Sequence, residues 1–429
     1  MKTTDTTDPR KAVSTGSGFA GPVSPPVSGS EVVGPIGAGP LGAGPKLSGS
    51  PRAPRVAIIH YWLIGMRGGE KVLEALCRMF PQAEIFTHVF DPARTSSLIK
   101  THKIHTTSIA RLPFATRLYQ KYLPLMPKAL EALDLTGFDL VISSEAGPAK
   151  GVIAPPDALH LCYCHSPMRY IWDQYHVYNR SAGILTRAVM PHLAHKLRIW
   201  DVTSAARVDG FIANSRHVEK RINSYWRREA QVVHPPVAVK DFAPVPSADE
   251  RGSFYLWAGE LAPYKRPDIA IEAFNRLGLP LVVIGGPAKT ERLLARSARK
   301  NIRFLGHLPF DKLQRYLATC KALIFPGEED FGILPVEAMA SGRPVIAYGR
   351  GGVLDTVIDR RTGLLFPDQT AASLEAAVSR FEAEGLEHLP PQDLVKHAAR
   401  FDESHFRAGV LRALSDHGMP FEQFVGKQQ

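Results

Sequence analysis

The sequence predicts an α/β protein built from two doubly wound, Rossmann-like parallel sheets in tandem, facing each other across a cleft. Three observations carry that expectation. Short apolar runs alternate with helical segments from Arg55 onward, the alternation restarts as a second series at Phe254, and the double proline Pro235–Pro236 stands between the two series. With 429 residues, 45% hydrophobic and 22% charged, the chain is long enough for two or three domains with ordinary cores.

The first 54 residues stand apart. They hold 10 Gly and 9 Pro, with Phe19 the only aromatic, a composition that buries too little apolar surface to offset the entropy of ordering. The expected organisation is a disordered leader over 1–54, a first domain over 55–238, a second over 239–414 and a C-terminal tail over 415–429. In the first domain RVAIIH (55–60) reads as a buried strand, followed by a glycine loop and a helix opening at Glu70. DLVISSE (139–145), HLCYCH (160–165) and GFIANS (210–215) read as further strands, and QVVHPPV (231–237) closes the series at a hinge over 235–241. The second series is FYLWAGE (254–260), PLVVIGG (280–286), IRFLGH (302–307), ALIFPGE (322–328) and PVIAYG (344–349), with helical segments such as 268–277 and 311–321 between them. Ligands of such sheets bind beyond the carboxyl ends of the strands, so the cleft between the domains is the expected site.

Charge and cysteine usage narrow the class. Lys+Arg number 52 against 41 Asp+Glu, a net charge of +11 that favours anionic partners. No stretch reaches the roughly 18–20 apolar residues of a spanning helix, and the N-terminus lacks a basic region followed by an apolar run. Cys77, Cys162, Cys164 and Cys320 form neither a disulfide framework nor a paired C-x-x-C zinc pattern. Cys162, Cys164 and His165 lack a second ligand pair, and D-x-D, the usual clamp for a catalytic divalent metal, is absent from the chain. The expectation is a soluble or peripheral intracellular protein with no metal and no cofactor.

The densest chemical signal is GEEDFGILPVEAMASGRP (327–344). Pro335 suits a first helical turn and Gly342 a C′ position with Pro344 just beyond, which predicts a short helix over 334–341. Phe331, Gly332, Ile333 and Leu334 then lie at its positive end, where free N–H groups suit a phosphate. Glu329 falls in the incoming loop and Glu337 within the helix, a spacing that can set one carboxylate beside a sugar and the other beside a ribose; two glutamates taken alone are as well explained by a solvated surface. Gly65, Gly68 and Gly69 form a turn after the first strand that lets backbone approach a ligand, though glycines also serve ordinary turns. His165 ends a strand at the expected cleft, where a lone histidine is otherwise often structural.

One segment bears on location. Residues 92–130 contain no Asp or Glu but seven Lys/Arg, among them Arg111, Arg117, Lys121 and Lys128, interleaved with Leu112, Phe114, Leu118, Tyr119 and Tyr122. That is the composition of a surface docking on anionic lipid headgroups; a basic helical pair packing its apolar side inward is the alternative. No nucleic-acid-binding motif accompanies the basic charge.

EEDFGILPVEAMASGRPVIA, with its Glu-x7-Glu, resembles the signature of the retaining nucleotide-sugar glycosyltransferases of family 4, which have the GT-B fold. The resemblance runs from about 55 to 414. WLIGMRGGEKVLEAL (62–76) is similar to the family's first glycine loop and helix, and PYKRPDIAIEAF (263–274) to its phosphate-binding segment. YCHSPMRYIWD (163–173) and FIANSRHVEKRI (211–222) resemble the subgroup acting on lipid-linked saccharides, nearest to GDP-mannose-dependent mannosyltransferases of bacterial exopolysaccharide assembly. The resemblance implies that Glu329 touches the donor sugar's hydroxyls, Glu337 the ribose and Lys265 the diphosphate, with Arg266 a second cation. It further implies that His165 contacts the sugar near the reacting carbon and that the Gly68–Gly69 loop faces the reacting centre. The implied activity is transfer of mannose from GDP-mannose to a polyprenyl-diphosphate-linked saccharide, without metal, on the inner face of the cell membrane. A UDP-sugar donor and an inactive binding homologue are the competing readings. The chain departs from the family at Glu260, where an arginine or another non-acidic residue is usual, and Lys265 is thereby left as the main diphosphate cation.

Overall fold

The computed structural model describes residues 54–419 apart from 182, 246, 248 and 249, so the Gly/Pro-rich leader and most of the C-terminal tail lie outside the described residues. The apolar runs of the first series become β1 (Val56–His60), β4 (Leu140–Glu145), β5 (Leu159–Cys164), β6 (Gly210–Ala213) and the two-residue β7 (Gln231–Val232). Two further strands, β2 (Glu84–Thr87) and β3 (Lys103–Thr106), extend the sheet beyond the sequence reading. EIFT and KIHT are only four residues long and open on a charge, so they carry little periodic signal of their own. All pair in parallel in the order β3-β2-β1-β4-β5-β6-β7.

The second lobe repeats the plan with β8 (Tyr255–Ala258), β9 (Leu281–Ile284), β10 (Ile302–Phe304), β11 (Leu323–Phe325), β12 (Val345–Tyr348) and β13 (Gly363–Phe366), ordered β10-β9-β8-β11-β12-β13 and again wholly parallel. Helices cover both faces of each sheet, which is why strands such as β1 and β8 are buried at every residue rather than alternating. The helix Gly68–Met79 shows the complementary pattern, burying Val72, Leu73, Ala75, Leu76 and Cys77 against β1, β2 and β4.

Both sheets change winding direction at one point, between β1 and β4 in the first lobe and between β8 and β11 in the second. Loops leaving the strands on either side of such a point diverge and open a crevice at the carboxyl ends. The loop 61–67 and the helix Gly68–Met79 follow β1, while the loops 259–266 and 326–332 follow β8 and β11. These segments carry Gly68, Gly69, Lys265 and Glu329, while His165 follows β5 and Glu337 lies in the helix after the loop 326–332.

The chain passes between the lobes twice. The outward pass runs through Val233, buried in the first lobe, and Val237, buried in the second. On the return, Val237 N donates to Phe401 O at 2.9 Å, and the helix Glu403–Asp416 then leaves the second lobe. The sequence pattern extends the second domain to 414; instead Phe406, Val410, Ala413 and Leu414 bury in the first lobe's core, and Arg78 holds Glu403 at 2.6 Å. An amphipathic helix signals that it needs an apolar partner, not which sheet supplies one.

Candidate active site

The carboxyl ends of both sheets meet at one cleft of about 1280 Å³, lined by Gly68, Gly69, Lys71 and His165 from the first lobe and by Lys265, Glu329, Phe331–Leu334 and Glu337 from the second. At its floor is the short helix Ile333–Ala340, beginning one residue before the predicted start. Gly332 precedes it with φ 84°, in the left-handed region, and a Cβ there would press on the Phe325 ring at 3.2 Å. Phe331 is buried against His234 and Phe401, which anchors the loop and leaves the helix N-terminus facing the cleft. The helix ends as the sequence indicated: Gly342 has φ 70°, its N–H reaches Met339 O, and Arg343 N reaches Ala338 O, both at 2.9 Å.

Charge is arranged around that N-terminus. Lys265 Nζ donates to Glu329 Oε1 at 2.7 Å, with both side chains less than one-fifth exposed. Burial opposes the Lys265 charge most strongly, but the Glu329 carboxylate together with Tyr264 and Glu260 outweighs it, holding the ammonium above its ordinary pKa. Glu337 sits one helical turn deeper. Burial pushes its carboxyl up to about 7, against the opposing pull of Lys71 and Lys265. A carboxyl poised at neutrality beside two cations is set to accept hydrogen bonds from a ligand's hydroxyls.

Arg266, expected as a second cation, does not join this group. With φ 54° it turns the chain into the helix Pro267–Leu277, and its guanidinium is spent on Asp268 at 2.8–3.1 Å and Gln369 at 3.4 Å. The cations that do line the cleft with Lys265 are Arg67, Lys71 and Arg169, none singled out from sequence. Arg169 lies within YCHSPMRY, and its pairing with the second lobe is what distinguishes it. The Asp330 carboxylate, just ahead of Phe331, bridges to the first lobe, accepting from Arg169 Nε at 3.2 Å and Arg221 Nη1 at 2.6 Å. Ser215 Oγ donates to the Asp330 backbone oxygen at 2.5 Å, completing a clasp between the lobes. Glu260 faces Arg67 across the cleft at 4.0 Å with both side chains more than half exposed, a pair worth little in water.

On the first lobe, Gly68 and Gly69 open the helix Gly68–Met79 rather than forming the turn before it. A Cβ on Gly68 would lie 3.1 Å from Ile333 Cδ1, which shows how closely this helix approaches the Glu-x7-Glu segment, and one on Gly69 would lie 2.4 Å from the Tyr61 hydroxyl. His165 follows β5, held by its N–H to Glu145 O at 2.7 Å and by Asn214 Nδ2 to its own carbonyl at 2.9 Å. Burial pushes the ring down to about 3, so it is neutral near pH 7. Cys162 and Cys164 are buried free thiols on β5. Among the described residues, no group of three or more His, Cys, Asp or Glu is placed to hold a metal ion.

The basic segment after β3 folds as short helical turns rather than as one long helix, with Pro113 between the turns Ser108–Arg111 and Ala115–Leu118, Pro124 within the turn Tyr119–Leu125 and Pro127 in the first turn of Met126–Glu131. Ile109, Ala115, Tyr119, Met126 and Ala129 turn inward onto Val89. Arg111, Arg117, Lys121 and Lys128 are exposed, together with Phe114 at 71% and Leu125 at 51%. Among the described residues, no helix is long and apolar enough to cross a membrane.

Comparison with known proteins agrees with this geometry. The Glycosyltransferase Family 4 model matches residues 66–241 and the Glycosyl transferases group 1 model matches residues 240–401. The D-inositol 3-phosphate glycosyltransferase of Acidothermus cellulolyticus is 30% identical over 246 residues, covering 50% of this chain and 54% of that protein. The Streptomyces bingchenggensis protein of the same name is 30% identical over 228 residues, 45% and 50% of the two chains. The chain thus spans about half the length of the curated relatives it matches. Among solved structures, Anabaena HepE in complex with UDP and glucose superposes with a TM-score of 0.63 at 15% identity, covering 85% of this chain and 100% of that one. Sucrose-phosphate synthase from Thermosynechococcus elongatus gives 0.62 at 18%, covering 88% and 100%. At these identities the structural likeness speaks for the fold alone. The two glycosyltransferase models, matched end to end on a pair of doubly wound lobes with Glu-x7-Glu lying at the cleft between them, support a glycosyltransferase of the GT4 type with the GT-B fold.

Proposed function

We propose that the protein is a retaining glycosyltransferase that moves mannose from GDP-mannose to a polyprenyl-diphosphate-linked saccharide, working peripherally on the inner face of the cell membrane. The observation that carries the transferase reading is the meeting of Lys265, Glu329 and Glu337 at the N-terminus of one short helix, inside the cleft. Lys265 and Glu329 hold each other; an arriving diphosphate takes the ammonium and frees the carboxylate for sugar hydroxyls. Glu337, one turn along, accepts from the ribose. As the bond from the anomeric carbon to the phosphate oxygen breaks, charge grows on the leaving diphosphate, where a fixed cation and free helix N–H groups already point. The acceptor hydroxyl attacks from the same face and passes its proton to the departing phosphate oxygen, so the anomeric configuration is kept without a dedicated protein base. The acceptor and membrane parts of the reading rest on exposed Phe114 and Leu125 among exposed Arg111, Arg117, Lys121 and Lys128.

A second reading has a specific observation in its favour. Anabaena HepE was solved with UDP and with UDP-glucose, and nothing in Glu-x7-Glu selects the base, so a UDP-sugar is the competing donor. Glu260 motivates a third, a homologue that binds without turnover. Thermal unfolding with GDP, UDP and their sugars, in EDTA throughout, separates the two donors, and a transfer assay separates both from a homologue that binds without turnover. A ligand at 100 times its dissociation constant stabilises the fold by about 2.7 kcal/mol. A shift with the guanine nucleotides alone, lost in Glu337→Ala, supports the GDP-mannose donor; a shift with uracil nucleotides alone overturns it and keeps the site. No shift with either removes the transferase reading.

A further inference from the structure

Beneath the cleft, three buried polar side chains line up toward His165. Parallel register sets His60 at the end of β1 opposite Ser144 of β4, and Glu145 opposite Cys164 of β5, so His165 emerges one step beyond. His60 Nδ1 lies 3.1 Å from Ser144 Oγ, and Ser144 Oγ lies 2.9 Å from His165 Nε2. At the other end, His60 Nε2 is buried without a hydrogen-bond partner and faces Glu70 Oε1 at 3.8 Å. Glu70 is fixed there because its other oxygen accepts from Arg67 N at 2.9 Å, closing the helix N-terminus. Glu70, His60 and Ser144 are each 2% exposed or less.

A serine hydroxyl between two ring nitrogens donates to one and accepts from the other, so the tautomers of the two histidines are coupled through Ser144. The end of the string decides the direction. A buried carboxylate favours an N–H over a lone pair on the nitrogen facing it, which puts the His60 proton on Nε2. His60 Nδ1 is then an acceptor, Ser144 donates to it, and Ser144 Oγ accepts from the Nε2–H of His165. We propose that Glu70, His60 and Ser144 are positioning residues that fix His165 as its Nε2–H tautomer and present Nδ1 to the cleft as an acceptor for a ligand hydroxyl. That the hydroxyl belongs to a sugar rests on the function proposed above; the tautomer does not.

The test reads the tautomer directly. Protein carrying isotopically labelled histidine is examined by long-range proton–nitrogen correlation spectra, without added nucleotide, and the His165 signals are assigned by their loss in His165→Gln. The expected result is an Nε2–H tautomer for both His60 and His165. In Glu70→Gln, which keeps the helix cap through its amide oxygen, and in Ser144→Ala, the His165 pattern becomes mixed or reversed. A wild-type His165 protonated on Nδ1 overturns the proposal, and so does a His165 tautomer that stays Nε2–H in both variants. In a transfer assay Glu70→Gln lowers kcat about tenfold with donor KM little changed, the loss of about one hydrogen bond; an unchanged kcat overturns the role in turnover. The spectra need no substrate, so failure of the donor reading and failure of this one are told apart.

Discussion

Glu337 makes the proposed donor site pH-dependent in a definite direction. Burial holds its carboxyl at about 7, and a ribose diol can hydrogen-bond it as two donors only when it is ionised. The ionised fraction rises from about 9% at pH 6 to about 91% at pH 8, so affinity for a nucleotide sugar should rise about tenfold over that interval. Nucleotide sugars suit the measurement, because their diphosphate diesters do not titrate near neutrality. Calorimetric titration at constant ionic strength, in buffers of differing ionisation enthalpy, should detect close to one proton released per ligand bound at pH 6 and almost none at pH 8. The same group affects the unliganded fold with the opposite slope. Its pKa is raised on folding, so its contribution to stability is fully present below its ordinary value of 4.5 and is lost as pH rises through about 7. In Glu337→Gln both the slope and the proton release should vanish. Equal affinity at pH 6 and 8 in the wild type, or an unchanged slope in Glu337→Gln, would refute the reasoning.

Three other outcomes follow from the geometry. Lys265→Ala should weaken nucleotide-sugar binding by roughly 10- to 100-fold, the worth of one charged hydrogen bond, in the same calorimetric titration; binding within twofold of wild type would remove Lys265 from the diphosphate site. Gly69→Ala would place a methyl 2.4 Å from the Tyr61 hydroxyl, and denaturant unfolding should register a loss of about 1–3 kcal/mol, whereas Gly65→Ala, with nothing within 4 Å, should cost far less. Reversing Arg111, Arg117, Lys121 and Lys128 to Glu together should abolish co-sedimentation with anionic vesicles while leaving the melting temperature nearly unchanged, since all four side chains are exposed. Retained sedimentation would send the docking surface elsewhere.

Much of this was legible in local pattern. Strand–helix alternation with a proline break announced two parallel lobes, because period and punctuation are properties of neighbouring residues. The short helix after Phe331 was legible to within one residue, since Pro335 and Gly342 impose its two ends through their own backbone preferences. Glu329, Glu337, Lys265 and His165 were legible through spacing and resemblance, and the fold brings all four to one cleft. Partnerships across the fold were another matter. Arg266 and Lys265 are adjacent in sequence, yet a left-handed turn sends one guanidinium to Asp268 and leaves the other cation at the cleft. Asp330 stands in the same motif as Glu329, yet it clasps Arg169 and Arg221, residues more than a hundred positions away. The final helix returned to the first lobe although its sequence neighbours belong to the second. Local preferences act through a residue's own backbone and its near neighbours, whereas an ion pair or a buried face takes its energy from whichever group the folded chain brings within a few ångströms, and that choice exists only in three dimensions.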